Sequence, residues 1–172
     1  KIFSKNWTAC RYLIGGGTEE QKERFLPQIR DNDTYLIATP GTEPGAGADK
    51  DTGYYDAPPG EGIMTTAKRK GDRYVLNGRK HFISHGPTAS LYIFRARTDP
   101  TLPVSKGVSY IIVPRDTPGL SIGAIHDKLG WRAYPQAELI LDNVEVPVEN
   151  LLGGKEGYLH PAVARGGRMI EV

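Results

Sequence analysis

The stretch from Thr39 to Asp49 gathers three glycines, two prolines, the Thr42 hydroxyl and the acids Glu43 and Asp49. Such a composition cannot continue a helix or a central strand, so it reads as a sharply turning, accessible loop. Gly45 and Gly47 leave the main chain open to a flat ring or a pyrophosphate, with exposed N–H groups as donors to an anion. An ordinary surface turn is the competing reading. Glu43 invites comparison with a general base, but it has no visible partner, and a turn-stabilising carboxylate is the simpler reading. His81 and His85 are four apart, which suits a shared metal only on a helix. On an extended segment they stand about 13 Å apart at roughly 3.3 Å per residue, too far for one ion held at about 2.1 Å from each nitrogen.

Spacing disposes of other chemistries. Counting from Gly45, the last glycine of Gly-x-Gly-x-x-Gly falls on Lys50, and neither a Gly-Lys-Ser/Thr phosphate loop nor a Gly-x-Ser-x-Gly elbow occurs. Asp127–Arg132 combines a tight glycine, both charges and Trp131, and reads as a β-corner with the indole packed on the barrel.

The elements that must position these residues follow from local pattern. Thr18-Glu19-Glu20-Gln21 is a capping box, and Phe25, Leu26 and Ile29 give a helical apolar face that Pro27 is expected to end or kink. Asp31-Asn32-Asp33 then turns into an extended Tyr35–Ala38, so the glycine-rich loop follows a strand. Residues 51–62, with Tyr54, Tyr55 and Pro58-Pro59-Gly60, read as an irregular surface excursion near a ligand entrance that adds little to the core. From Thr65 two hairpins are expected, turning at Lys70-Gly71-Asp72 and at Asn77-Gly78 and ending in Lys80–Ser84. Strands at Leu91–Ala96, Val108–Val113, Leu120–Ile125 and Ala137–Leu141 follow, with Asp142–Pro147 read as a turn between edge strands. The fold class is mainly β, an antiparallel β-barrel or sandwich with short flanking α-helical segments. A further helix is expected from Tyr158.

The chain has 172 residues, 38% hydrophobic and 24% charged, enough for one domain with its own core. A net charge of +2 with both signs interspersed forms no basic stripe, which argues against nucleic acid. No apolar run is long enough for a bilayer, and Cys10 stands alone, which fits an intracellular, reducing compartment. The missing initiator Met and the helix-like Met169–Val172 give the ends a cut appearance.

Taken together, Gly17–Lys22 with Leu26-Pro27, Thr42–Asp49, Leu76-Asn77-Gly78 with Phe82-Ile83-Ser84, Asp116–Gly119, Asp127–Gly130, and Val146-Pro147 with Asn150–Gly153 resemble the acyl-CoA dehydrogenase family of flavoproteins in order and spacing. The resemblance divides the chain into the end of an N-terminal helical domain (1–34), a middle β-domain (35–153) and the start of a C-terminal helical bundle (154–172). It implies FAD as cofactor, with Thr39, Gly41, Thr42, Gly47, Ala48, Phe82, Ile83 and Ser84 along one face and edge of the isoalloxazine ring. Thr42 would bond its pyrimidine end and Ser84 would lie near N5, with Ala48 and Arg168 on the substrate side. The implied reaction is α,β-dehydrogenation of an acyl-CoA, a carboxylate base taking the α-proton while the β-hydride goes to flavin. An electron-transfer flavoprotein acceptor, a homo-oligomer (tetramer or dimer) and a cytoplasmic or mitochondrial-matrix location are implied with it.

Three departures stand out. Ala48 replaces the usual Ser, removing a hydroxyl contact worth about 0.5–1.5 kcal/mol; Phe82 replaces Trp; and the excursion after Asp51 is longer than usual. The family's catalytic Glu belongs to the bundle, so no catalytic residue is assigned here. A flavin-dependent monooxygenase or oxidase of the same fold and a non-catalytic subunit retaining the β-domain are the alternatives.

Overall fold

The computed structural model describes residues 2–47 and 57–157. Ala48, Arg168 and the helix expected from Tyr158 lie outside the described residues, as does the first half of the excursion. Two helices open the chain, α1 (Ile2–Gly16) and α2 (Glu19–Asp31). The capping box forms in both directions: Gln21 N–H donates to Thr18 Oγ1 (3.3 Å) and Thr18 N–H donates to Gln21 Oε1 (3.1 Å). Pro27 does not end α2, which runs on to Asp31. The carbonyl deprived of a donor belongs to exposed Glu23, where water can serve it, while Phe25, Leu26 and Ile29 gain burial.

Among the described residues the strands that follow form one seven-stranded sheet: β1 (Ile37–Ala38), β2 (Thr66–Lys70), β3 (Arg73–Ser84), β4 (Leu91–Arg97), β5 (Val108–Pro114), β6 (Leu120–Ile125) and β7 (Gln136–Pro147). The spatial order is β1-β4-β2-β3-β7-β6, with β5 on the other side of β4. The sheet curls into a half-barrel, in keeping with the mainly-β expectation. Most neighbours are antiparallel, but β1 and β2 run parallel to opposite ends of β4, through Ile37↔Leu91 and Thr66↔Arg97. Between them that edge of β4 is left for the chain that follows β1.

Strand β4 is apolar on both faces because both are covered. Leu91 and Ile93 face Ala9, Leu13 and Phe25 of the helices, whereas Tyr92, Phe94 and Ala96 enter the curl with Tyr74, Leu76, Ile111, Val113, Leu139 and Val144. Alternate residues thus serve two separate cores.

Four local expectations need correction. Asn77-Gly78 is no hairpin turn but the middle of β3, and Asp142–Pro147 is not a turn but part of β7, which lies between β3 and β6. The two sites face each other at a bulge in the β3–β7 ladder, where Asn143 N–H donates to Asn77 Oδ1 at 2.8 Å. Gly78 is needed for approach: its φ is +148°, and an added Cβ would stand 2.8 Å from Thr65 Cα. Trp131 is 62% exposed, more than an indole packed on the barrel would be, and nearby Leu129 is fully exposed. Finally, the described end of the excursion belongs to the core. Ala57 and Ile63 are fully buried against Val104 and Val108, and buried Arg97 donates to the carbonyls of Ile63 (2.9 Å), Leu102 (2.8 Å) and Glu61 (2.6 Å). A guanidinium with its donors spread over three carbonyls holds an irregular backbone that no ladder could.

Candidate functional site

The segment Leu36–Glu43 fills the gap beside β4 and is stitched to strands on both sides. Toward β4, Leu36 carbonyl accepts from Ser90 N–H (2.8 Å) and Pro40 carbonyl from Arg95 N–H (3.1 Å); toward β3, Thr42 carbonyl accepts from His81 N–H (2.9 Å). Glu43 and Ala46 then exchange backbone bonds at 2.8 and 3.2 Å, which closes the turn through Pro44-Gly45.

Beneath this wall, buried Lys80 donates to Glu43 Oε1 (2.7 Å) and to Gly41 carbonyl (3.1 Å). Glu43 also accepts from Met64 N–H (2.7 Å) and Thr65 N–H (3.0 Å). Burial alone would push its carboxyl up, but the Lys80 ammonium and the N–H donors outweigh it and hold the group below the usual carboxylate range. A carboxylate so committed anchors the loop, as the turn-stabilising reading expects, and does not serve as a proton acceptor.

The second wall is the end of β3. The β3–β7 register shifts between Lys80 and Ile83, and within that irregularity Phe82 takes φ +55°. Its ring, 54% exposed, stacks on His126 at 4.5 Å, with His81 packed against both. Ser84 accepts from Gln136 Nε2 at 3.3 Å and keeps its own O–H to donate. His85 is buried against Tyr134, its ring edge-on at 4.6 Å.

The two walls enclose a cleft of about 300 Å³ that brings together Thr39, Gly41, Thr42, Phe82, Ile83 and Ser84. Of the other expected residues, Gly47 lies just beyond the Glu43–Ala46 turn and does not line it, and Ala48 and Arg168 are outside the described residues. Sequence reasoning missed Tyr12, Arg95 and Tyr110. Arg95 and Tyr110 are register partners on β4 and β5, the guanidinium lies 5.7 Å from the Tyr110 ring centre, and Tyr12 packs on Tyr110 from α1. A period-two count along Leu91–Arg97 would have set Arg95 on the face of Leu91 and Ile93, a cation where the strand calls for an apolar residue.

Residues 38–144 match the acyl-CoA dehydrogenase middle-domain family, and the chain belongs to the acyl-CoA dehydrogenases. It is 40% identical over 143 residues to cyclohex-1-ene-1-carbonyl-CoA dehydrogenase of Geobacter metallireducens, covering 83% of this chain and 35% of that protein. Butyryl-CoA dehydrogenase from Megasphaera elsdenii superposes with a TM-score of 0.79 at 36% identity, over 91% of this chain and 38% of that one. A prolyl acyl carrier protein oxidase superposes with a TM-score of 0.81 at 36% identity, over 96% and 40%. The chain therefore spans between a third and two-fifths of the length of these proteins.

Proposed function

We propose that this chain supplies the flavin-facing β-domain of an FAD-dependent acyl-CoA dehydrogenase, which removes two hydrogens from the α and β carbons of an acyl-CoA thioester. One observation carries the reading: residues forty positions apart in sequence, Thr39–Thr42 and Phe82–Ser84, meet as two walls of one cleft. The donor set fits a flat ring edged with acceptors. Among the described residues neither the N–H nor the hydroxyl of Thr42 donates to protein, and Ser84 has an O–H to offer on the opposite wall. Thr39, Gly41, Thr42, Phe82, Ile83 and Ser84 would hold the ring, with Gly47 and Ala48 following on the same loop. When bound, FAD accepts the hydride; the chain's own part is to orient the ring and keep water from it.

The boundaries at residues 34 and 153, an acyl-CoA substrate, an electron-transfer flavoprotein as acceptor, a homo-oligomeric state, a cytoplasmic or mitochondrial-matrix location and a substrate-side Arg168 belong to the same proposal. Among the described residues no helix is long and apolar enough to cross a membrane. The likeness to the prolyl carrier-protein oxidase supports a second reading, in which reduced flavin passes its electrons to oxygen.

The full-length protein that carries this chain is expected to be yellow and to lose its flavin absorbance when a matched acyl-CoA is added without oxygen. Slow reoxidation in air then marks a dehydrogenase and fast reoxidation an oxidase. A full-length preparation that takes up no flavin sinks both readings.

A further inference from the structure

The geometry points to Lys80 as a positioning residue for the cleft: through the Gly41–Thr42 peptide it aims and strengthens the Thr42 N–H as a donor to the acceptor edge of the ring bound there. The inference rests on the flavin reading above. Lys80 is fully buried, and the ion pair with Glu43 uses only part of its donor capacity. A second bond goes to Gly41 carbonyl, 3.1 Å from Nζ. That carbonyl and the Thr42 N–H belong to one peptide unit, which is planar and trans, so the N–H points away from the ammonium. Lys80 lies on the core side of the loop, and the opposite side is the cleft that Gly41 and Thr42 line. The next peptide is held as well, because Thr42 carbonyl accepts from His81 N–H and Glu43 N–H donates to Ala46 carbonyl.

An ammonium on a carbonyl draws electron density through the amide and makes its N–H the better donor, an effect enlarged in a site with little solvent. The reduced ring carries more electron density on its acceptor edge than the oxidised ring. A strengthened donor there favours the reduced form and raises the midpoint potential.

Wild-type holoenzyme of the full-length protein is the reference, and Glu43→Gln beside it shows what loss of the carboxylate alone does. Adding Lys80→Met is expected to weaken FAD binding about tenfold, and to weaken binding of the reduced form about tenfold further, which for a two-electron couple lowers the potential by about 30 mV. Adding Lys80→Gln instead keeps an uncharged donor for Gly41. It is expected to recover part of the affinity and none of the potential, and it serves where the Met variant does not fold. FAD titration and potentiometry without substrate read both effects. Reference values for affinity and potential in the double variants would make the pair purely structural and overturn the inference. A wild-type protein that takes up no FAD overturns the flavin reading itself, a result distinct from any change between variants.

Discussion

The Glu43 carboxylate stands 2.7 Å from the Lys80 ammonium, with 5% and 0% of their side chains exposed. Removing one member of such a pair strands the other charge in a dry site. Lys80→Met alone should therefore cost about 3–5 kcal/mol, and adding Glu43→Gln should recover most of it. Urea unfolding of the four proteins of this cycle measures the coupling, and additive losses would refute it.

The same pair sets an acid dependence. The folded Glu43 carboxyl lies below its ordinary value of 4.5, so its contribution is complete above that pH and is lost as pH falls through the lower folded value. Between pH 7 and pH 3 the wild-type protein should lose more unfolding free energy than Glu43→Gln. Parallel curves would show that Glu43 is not the group responsible.

Arg97 gives a third expectation. Of the three carbonyls that Arg97 holds, only that of Ile63 sits in a fully buried bond, so Arg97→Met should cost about 1–3 kcal/mol, the cost of one buried carbonyl left without a donor. Amide exchange should accelerate at residues 61–63 before it does in β5. Unchanged protection there would mean that the apolar contacts of Ala57 and Ile63 suffice.

At Gly78 a methyl group would meet the Thr65 backbone, and φ +148° adds strain. Gly78→Ala should lower stability by about 2–3 kcal/mol. Trimming Thr65 to Ala should not restore it, because the obstruction includes Thr65 Cα; full rescue by that second change would place the conflict in the side chain instead.

Among the described residues the Ser84 hydroxyl meets protein through the 3.3 Å bond it accepts from Gln136 Nε2, so Ser84→Ala should fold normally. In the full-length protein it should weaken FAD retention or slow flavin reduction, with one contact worth on the order of 1 kcal/mol. Wild-type values of both would remove Ser84 from the site.

Local signals were legible in the sequence. The Thr18–Gln21 box was readable because both of its bonds close within one turn, yet Gln21 Nε2 also donates to Leu151 carbonyl at 2.7 Å across 130 residues, and nothing in the pattern announces that. The loop at Thr42 and the strand end at Ser84 could be named as candidates because glycine, proline and hydroxyl side chains mark them. The Lys80 partnership could not, since a lysine in an alternating strand reads as an outward residue. Asn77-Gly78 was misread because a tolerance of positive φ serves a tight turn and a close backbone approach equally. At the end of the excursion Ala57, among prolines and glycines, gave no periodicity, and only its packing with Ile63 against Val104 and Val108, far along the chain, shows why it is buried.

The wall bearing Thr42 has a consequence for how the chain reaches this structure. Glu43 and Lys80 are 37 residues apart, whereas β2 and β3 pair across the tight Gly71-Asp72 turn. Closing the longer loop costs more entropy and can be rewarded only after β3 exists to receive it. In refolding followed by pulse-labelled amide exchange, protection should appear on the β2–β3 hairpin first and at His81, which donates to Thr42 carbonyl, in a later phase. During synthesis the segment carrying Thr42 leaves the ribosome before the strand it must lie against, and any ligand of the cleft waits for Lys80 to arrive.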